Sequence, residues 1–166
     1  MYTKTGAQGC VLVIITQGFN EVDTINLISI LRQAGLCAKS VATTSGLVNG
    51  AYGIRLMPDL TFSDLDYLAK TTPVCGVILP ENRQSLARLE TDPRLHNFLR
   101  QVVAQGGQIV MGADGRPFLK KLSIGDFGLF GSNNDGKPSL LLREPGQPVE
   151  ELARSFILMA EQPSQA

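Results

Sequence analysis

The chain has 166 residues, enough to bury the core of one ordinary domain. Hydrophobic residues make up 43% and charged residues 18%, which is typical of a globular protein and excludes a disordered one. Fifteen basic residues balance fifteen acidic ones, which argues against nucleic acid or an anionic membrane as a partner. No apolar run could span a bilayer, and residues 1–9 lack the apolar core of a signal peptide, so we expect a cytoplasmic protein.

Short apolar runs alternate with helical patterns along the chain. Strands are predicted at 10–15, 36–42, 74–79, 108–112 and 139–143, with a small hairpin within 46–58 and a short edge strand at Phe127–Phe130. Helices are predicted at 21–34, 62–69, 93–105, 117–122 and 148–161, and residues 81–90 begin as a loop that becomes helical. Asn20 and Asp92 are placed as helix caps, and Gly35 as a helix end. This alternation predicts an α/β fold with a doubly wound, mainly parallel sheet and helices on both faces. We expect this fold to form one domain over residues 10–161, with short tails at 1–9 and 162–166.

The cysteines and the single histidine give no pattern of catalysis or metal binding. Cys10, Cys37 and Cys75 are odd in number, far apart and each in or beside an apolar strand, so we expect reduced, buried structural thiols. His96 lies off the apolar stripe of its helix, and we expect it to be exposed. No His, Cys, Asp and Glu cluster has metal-ligand spacing, and residues 46–53 lack the glycine spacing of a phosphate loop. We therefore expect no metal and no cofactor.

The stretch Gly107–Lys120 predicts a buried strand that turns sharply into a helix through Gly112, Ala113, Asp114 and Gly115. In α/β proteins the carboxyl end of such a strand faces the ligand crevice, and a nucleophile there is presented on an exposed elbow. The tip of this elbow offers Asp114 and no Cys or Ser. An Asp in this place is also a common cap for the helix that follows.

Several segments, in this order, resemble the ThiJ/PfpI superfamily, which has the class I glutamine amidotransferase-like fold. They are Val11–Ile15 with Gly18–Asp23, Leu31–Leu36, Pro58-Asp59, Val77–Pro80 and Arg143–Gly146 with the last helix. The resemblance spans residues 10–160 and implies a flavodoxin-like fold. It also implies a homo-oligomer, a dimer.

The functional positions of this family are altered here. Aligned on Pro117, the family cysteine falls on Asp114, and a shift of one residue would place Ala113 there instead. The position after the nucleophile, often His in the family, is Gly115. The acidic partner of the family cysteine, usually Glu, maps to Asp23. The Gly-Gly pair that helps form the family's oxyanion hole is replaced by Glu81-Asn82.

These departures predict a binding module for a small molecule or a protein, without cysteine catalysis. The candidate binding residues lie around the elbow and the crevice: Asp23, Glu81, Asn82, Ala113, Asp114, Gly115 and Arg116. The alternative is an Asp-dependent hydrolase, or another ThiJ/PfpI-type enzyme of the amidase, protease or glyoxalase kind, that uses Asp114 and Asp23. In either case we expect Asp114 to have a strained backbone. We also expect it to face Asp23 across the crevice, directly or through water, the two carboxyl groups titrating as a unit.

Overall fold

The fold is a six-stranded parallel sheet with helices on both faces, seen in a computed structural model that describes residues 9–112, 115–121 and 140–161. The strands are β1 Cys10–Ile14, β2 Cys37–Ala42, β3 Val48–Asn49, β4 Arg55–Leu56, β5 Leu60–Thr61, β6 Val74–Ile78, β7 Gln108–Gly112 and β8 Leu140–Arg143. The helices are α1 Glu21–Gln33, α2 Leu65–Thr71, α3 Arg83–Leu89, α4 Pro93–Ala104, α5 Arg116–Lys121 and α6 Val149–Glu161, with a 3-10 turn at Phe62–Asp64. Within the described residues, no helix has the length and apolar character needed to cross a bilayer.

The order of strands in the large sheet is β5-β2-β1-β6-β7-β8, and every neighbouring pair is parallel. The chain starts in the middle of the sheet, moves outward to β2 and β5, and then crosses to β6 on the other side of β1. Because the winding direction reverses between β1 and β6, the connections leave these two strands in opposite directions and open a crevice at their carboxyl ends. The predicted doubly wound parallel sheet is confirmed.

The sheet is buried between two apolar layers. All five residues of β1 are buried, as expected for a strand that is covered on both faces. Leu12 and Ile14 belong to the core layer beneath α2, α3 and α4, whereas Val11 and Val13 belong to the layer beneath α1 and α6. The β3–β4 hairpin forms a separate two-stranded antiparallel sheet.

Local signals set the helix ends as predicted. The Asn20 side chain accepts a hydrogen bond from the backbone N–H of Asp23 at 3.1 Å, and Gly35 has a φ of 81° after the end of α1. Asp92 caps α4 by accepting from the N–H of Arg94 at 3.0 Å, with Pro93 at the first helical position. The edge strand predicted at Phe127–Phe130 lies outside the described residues. The edge strand β5 was missed because two residues give no periodic pattern.

The buried face of α1 is not the face along which its apolar residues are spaced. The buried residues are Glu21, Thr24, Leu27, Ile28 and Leu31. Val22 and Ile25, which continue the helical spacing of Ile28 and Leu31, are 59% and 39% exposed. The hairpin covers the first turn of α1 on the side of Glu21, and this tertiary contact selects which face is buried.

The prediction of three reduced cysteines was wrong for two of them. Cys10 and Cys37 are the first residues of β1 and β2 and are paired in register, with their Cα atoms 4.6 Å apart, and they form a disulfide. Cys75 keeps its thiol, which donates a hydrogen bond to the carbonyl of Cys10 at 3.6 Å, but the residue is half-buried and not fully buried as predicted. The pairing depends on the register of β1 against β2, which cannot be inferred for two cysteines separated by 27 residues in the sequence.

Candidate functional site

A crevice lies at the carboxyl ends of β1 and β6, where the winding of the sheet reverses, and encloses a cavity of about 250 Å³. Its inner wall is mostly apolar and includes Val13, Phe19, Leu27, Val110 and Leu152. Its mouth carries polar side chains: Asn20, Asp23, Glu81, Asn82 and Arg143. The crevice therefore offers an apolar interior and a charged entrance, the usual plan of a small-molecule site.

Arg143 bridges two carboxylates across the mouth of the crevice. Its Nη1 atom donates to Oε1 of Glu81 at 2.6 Å and lies 3.3 Å from Oδ2 of Asp23. From behind, Nε donates to the carbonyl of Gln147 at 3.0 Å, and Nη2 donates to the same carbonyl. The guanidinium is therefore held between the two carboxylates and the Gln147 carbonyl, and the side chain of Arg143 is only 13% exposed. We call Arg143, Asp23 and Glu81 the mouth triad.

Three different elements bring the mouth triad together. Asp23 lies in the first turn of α1, Glu81 follows β6 after Pro80, and Arg143 is the last residue of β8. Arg143 is paired in register with Gly112, the last residue of β7. Gly112 also packs beside Glu81, since a Cβ atom placed on it would lie 3.5 Å from the Cβ of Glu81. The end of the elbow strand therefore opens directly beside the mouth triad.

A buried carboxylate fixes the hairpin that borders the crevice. Glu21 is 1% exposed, and its Oε1 accepts from the backbone N–H groups of Tyr52 at 2.6 Å and Ile54 at 3.2 Å. Burial raises the pKa of Glu21, but these backbone donors outweigh it, so the pKa lies below its usual value and the group is charged at neutral pH. Ala51 and Tyr52, which line the crevice, are thereby tied to α1.

Three of the residues singled out from the sequence line the crevice: Asp23, Glu81 and Asn82. Asn82 also has a structural role, because its Oδ1 caps α3 by accepting from the N–H of Ser85 at 2.7 Å. Asp23, in the first turn of α1, is paired with Arg143.

The elbow residues are only partly described. Gly115 is buried, and a Cβ atom placed on it would lie 2.5 Å from Cε of Met111. Arg116 is exposed at the start of α5. Ala113 and Asp114 lie outside the described residues. The register of the elbow, the strain at Asp114 and its contact with Asp23 therefore stay predictions.

Arg143 was missed as a site residue. Its signal in the sequence is a single charged residue that ends an apolar strand, Leu140–Leu142, in a segment already noted for its resemblance to the family. His96 was also misjudged: it is half-buried, and its Nε2 atom is shielded and has no hydrogen-bond partner among the described residues. His96 does not line the crevice.

All three cysteines of the chain lie at the opposite edge of the sheet from the crevice. Cys10 and Cys37 open β1 and β2, and Cys75 is the second residue of β6. The crevice lies at the other ends of β1 and β6, three or four residue steps from Cys10 and Cys75, which corresponds to about 10 to 13 Å along a strand. No thiol therefore reaches the crevice. In the described part of the chain, no three side chains of His, Cys, Asp and Glu are grouped as metal ligands.

Comparison with known proteins supports the fold and identifies the family. The structure is similar to a cysteine-to-alanine mutant of a DJ-1 superfamily protein from Salmonella typhimurium, with 21% identity, 91% of this chain and 87% of that chain covered, and a TM-score of 0.61. It is similar to DJ-1beta from Drosophila melanogaster, with 20% identity, coverage of 93% and 89%, and a TM-score of 0.64. It is also similar to a ThiJ/PfpI domain protein from Brachyspira murdochii, with 16% identity, coverage of 92% and 96%, and a TM-score of 0.69.

At these identities the three structures establish the common fold and nothing further. No curated protein matches the chain significantly. The family model of the DJ-1/PfpI family matches residues 10–126, which is well over half of the chain. The chain therefore belongs to the DJ-1/PfpI family.

Proposed function

We propose that this protein binds a small molecule in the crevice and carries out no cysteine chemistry there. The observation that carries this proposal is the position of the cysteines, all three of which lie at the amino ends of their strands. A nucleophilic thiol must contact the bound substrate, and no cysteine remains to occupy the elbow. The elbow carries Asp114 instead, which follows Gly112 by two residues.

The charges at the mouth indicate which end of a ligand fits there. Asp23 and Glu81 contribute two negative charges, and Arg143 contributes one positive charge. The mouth triad therefore has a net charge of −1, and Asp114, if it faces the same space, makes this more negative. Carboxylates accept hydrogen bonds and attract cations. The proposed ligand is therefore a small molecule with an apolar body and an amine or other donor group at one end.

A matched pair of probes tests this ligand class. Hexylamine and hexanoate have similar apolar bodies and opposite charges, and their binding can be followed by calorimetry and backbone amide NMR. Hexylamine is expected to bind and to shift the amides of Asp23 and Glu81, and Asp23→Asn should weaken it severalfold by removing one charge-assisted contact. Asp66→Asn, which changes an exposed carboxylate on α2, is the control. Tighter binding of hexanoate, or amine binding that Asp23→Asn leaves unchanged, would contradict the proposal.

The alternative is an Asp-dependent hydrolase, or another enzyme of the ThiJ/PfpI type. The position of Asp23 at the crevice favours it, because a carboxylate there could act as the base for a nucleophilic Asp114. Ester, amide, dipeptide and methylglyoxal substrates are the appropriate assays. Turnover that Asp114→Asn abolishes and that a triple Cys→Ser variant retains would establish this alternative. Absence of turnover on all four substrates supports the binding function.

We also propose that the protein forms a homodimer through an exposed apolar patch of Val22, Ile25, Tyr52 and Ile54. These side chains are 59%, 39%, 78% and 51% exposed. Glu21, the neighbour of Val22, accepts hydrogen bonds from the backbone N–H groups of Tyr52 and Ile54, so the hairpin and the first turn of α1 are adjacent on the surface. Clustered exposed apolar side chains favour contact with another protein surface. The resemblance to self-associating proteins makes a second copy the proposed occupant.

Light scattering after size-exclusion chromatography tests the dimer. Val22→Glu should shift the protein to a monomer, since a carboxylate in the patch would be buried without a partner. Tyr67→Glu is the matched control, because Tyr67 is 74% exposed on α2, outside the patch. A monomer in the unaltered protein, or a dimer that Val22→Glu leaves intact, would reject this interface.

The cytoplasm stays the proposed compartment. The Cys10–Cys37 disulfide tests this compartment, because cytosolic reductants keep most thiols reduced whereas an oxidising compartment preserves such a bond. Acid quenching and alkylation before lysis, followed by mass spectrometry, measures their state. Alkylated Cys10 and Cys37 support the cytoplasm, whereas a bonded pair in resting cells points to an oxidising compartment.

A further inference from the structure

A second cavity, separate from the crevice, lies at the carboxyl ends of β1 and β2. Its volume is about 490 Å³, within the usual range for small-molecule sites. Three segments line it: residues 15–17 after β1, residues 42–48 between β2 and β3, and residues 88 and 91–94 at the junction of α3 and α4. None of these residues lines the crevice. The cavity therefore belongs to a different site.

The lining of this cavity is rich in hydroxyl groups and carries two guanidinium groups. The polar side chains are those of Thr16, Gln17, Thr43, Thr44, Ser45, Arg88, Thr91, Asp92 and Arg94. Hydroxyl groups both donate and accept hydrogen bonds, and so they match the hydroxyl groups of a ligand. The amide of Gln17 is fixed by accepting from the N–H of Asn49 at 3.0 Å, which leaves its NH₂ group as a donor.

Thr16 gives an independent indication of a ligand. It is 7% exposed, and its Oγ1 atom is shielded and has no hydrogen-bond partner among the described residues. Leu12 and Ile14 pack on the α3 and α4 side of the sheet, and Thr16, two residues beyond the end of β1, lines the cavity together with the junction of α3 and α4. A buried hydroxyl group without a partner is unfavourable. A polar group of a ligand in the cavity would supply the missing hydrogen bond.

The charges favour one anionic group on the ligand. Arg94 is paired with Asp92, with Nε 3.0 Å from Oδ1 and Nη2 2.7 Å from Oδ2. With that pair neutral, Arg88 gives the cavity a net charge of +1.

We propose that this cavity binds a small polyhydroxylated anion, a sugar phosphate or a sugar acid. The hydroxyl groups of Thr16 and of the β2–β3 segment would bind the sugar hydroxyls. Arg88 would bind the phosphate or carboxylate.

Calorimetry and backbone amide NMR on the full chain test this proposal with glucose 6-phosphate, gluconate, glucose and inorganic phosphate. Glucose 6-phosphate or gluconate is expected to bind and to shift the amides of Thr16, Thr44 and Ser45. Glucose and phosphate, which each lack one half of the chemistry, should bind at least about tenfold more weakly. Binding of the phosphate ester alone or of the sugar acid alone identifies which anion is preferred, and either supports the proposal.

Two variants make the result specific. Arg88→Gln should lower the affinity by about tenfold because it removes a charge-assisted contact, whereas Arg154→Gln, on an exposed arginine of α6, should leave it unchanged. Thr16→Val keeps the shape of the side chain and removes the hydroxyl group. It should weaken binding severalfold while leaving the melting temperature of the ligand-free protein unchanged or higher.

Three results would overturn the proposal. The first is no binding of either anion at millimolar concentration. The second is binding that neither Arg88→Gln nor Thr16→Val weakens. The third is a set of amide shifts confined to Asp23, Glu81 and the rest of the crevice.

Discussion

Reducing the Cys10–Cys37 disulfide should lower the free energy of unfolding by about 3.5 kcal/mol. The bond joins the first residues of two neighbouring strands across a sequence separation of 27, and the closed loop contains the whole of α1. In the chain-entropy treatment, a crosslink that closes a loop of this length stabilises the native state by roughly 3 to 4 kcal/mol through its effect on the unfolded chain. This is a large share of the roughly 5 to 15 kcal/mol by which native proteins are stable.

Thermal unfolding with and without reductant measures this contribution. For a chain of this size, 1 kcal/mol corresponds to about 2 to 4 °C in melting temperature, so reduction should lower the midpoint by roughly 7 to 14 °C. The double variant Cys10→Ala/Cys37→Ala should show no response to reductant, and Cys75→Ala should respond as the unaltered protein does. Comparing each protein with and without reductant cancels the packing lost when buried Cys10 is replaced.

Thiol titration of the unfolded, unreduced protein provides the decisive check. One reactive thiol, that of Cys75, is expected. Three thiols in protein kept from reductant would show that β1 and β2 are not crosslinked. One thiol together with a midpoint that reductant does not change would leave the bond in place and refute the loop-entropy argument.

Three further predictions concern single side chains. Arg143→Met should destabilise the protein by only about 1 kcal/mol, because its partners Asp23 and Glu81 are partly exposed. The same change should raise the affinity for hexylamine, with Arg154→Met as the control. Weaker amine binding would count against the net charge assigned to the mouth triad. Gly50→Ala would place a Cβ atom inside the buried Glu21 carboxyl group and should cost about 1 to 3 kcal/mol in urea unfolding, so an unchanged midpoint would show that the hairpin is not fixed against α1. Burial raises the pKa of Asp59, but hydrogen bonds from Ser40 and the charge of Arg32 outweigh it, so the pKa lies below its usual value. The stabilising effect of ionised Asp59 is fully present above the unfolded-state pKa of about 3.9 and is lost as the pH falls through the lower folded-state value. Asp59→Asn should therefore flatten the dependence of the free energy of unfolding on pH in this acidic range, as measured by urea unfolding. Asp66→Asn should leave this dependence unchanged.

The sequence by itself determined the elements and their class of assembly. The β-branched run of β1 identifies a strand that is buried on both faces, and all five of its residues are buried. Asn20, Gly35 and Asp92 set the ends of α1 and α4 through hydrogen bonds and backbone angles within a few residues. Such signals are local, so a linear pattern contains them. The same elements, in an order that alternates strand and helix, lead to the parallel sheet and to a crevice at its carboxyl edge.

Only the tertiary structure decided which side chains meet. The Cys10–Cys37 bond depends on the register of β1 against β2, and the burial of Glu21 in place of Val22 depends on the hairpin covering α1. The mouth triad joins residues 23, 81 and 143, which are far apart in the chain and come together because β1, β6 and β8 run in the same direction and end at the same edge of the sheet. The second cavity arises in the same way, from the segments that follow β1 and β2 and from the junction of α3 and α4. Register and the crossing of connections are set by packing over the whole domain, and no local pattern of residues encodes them.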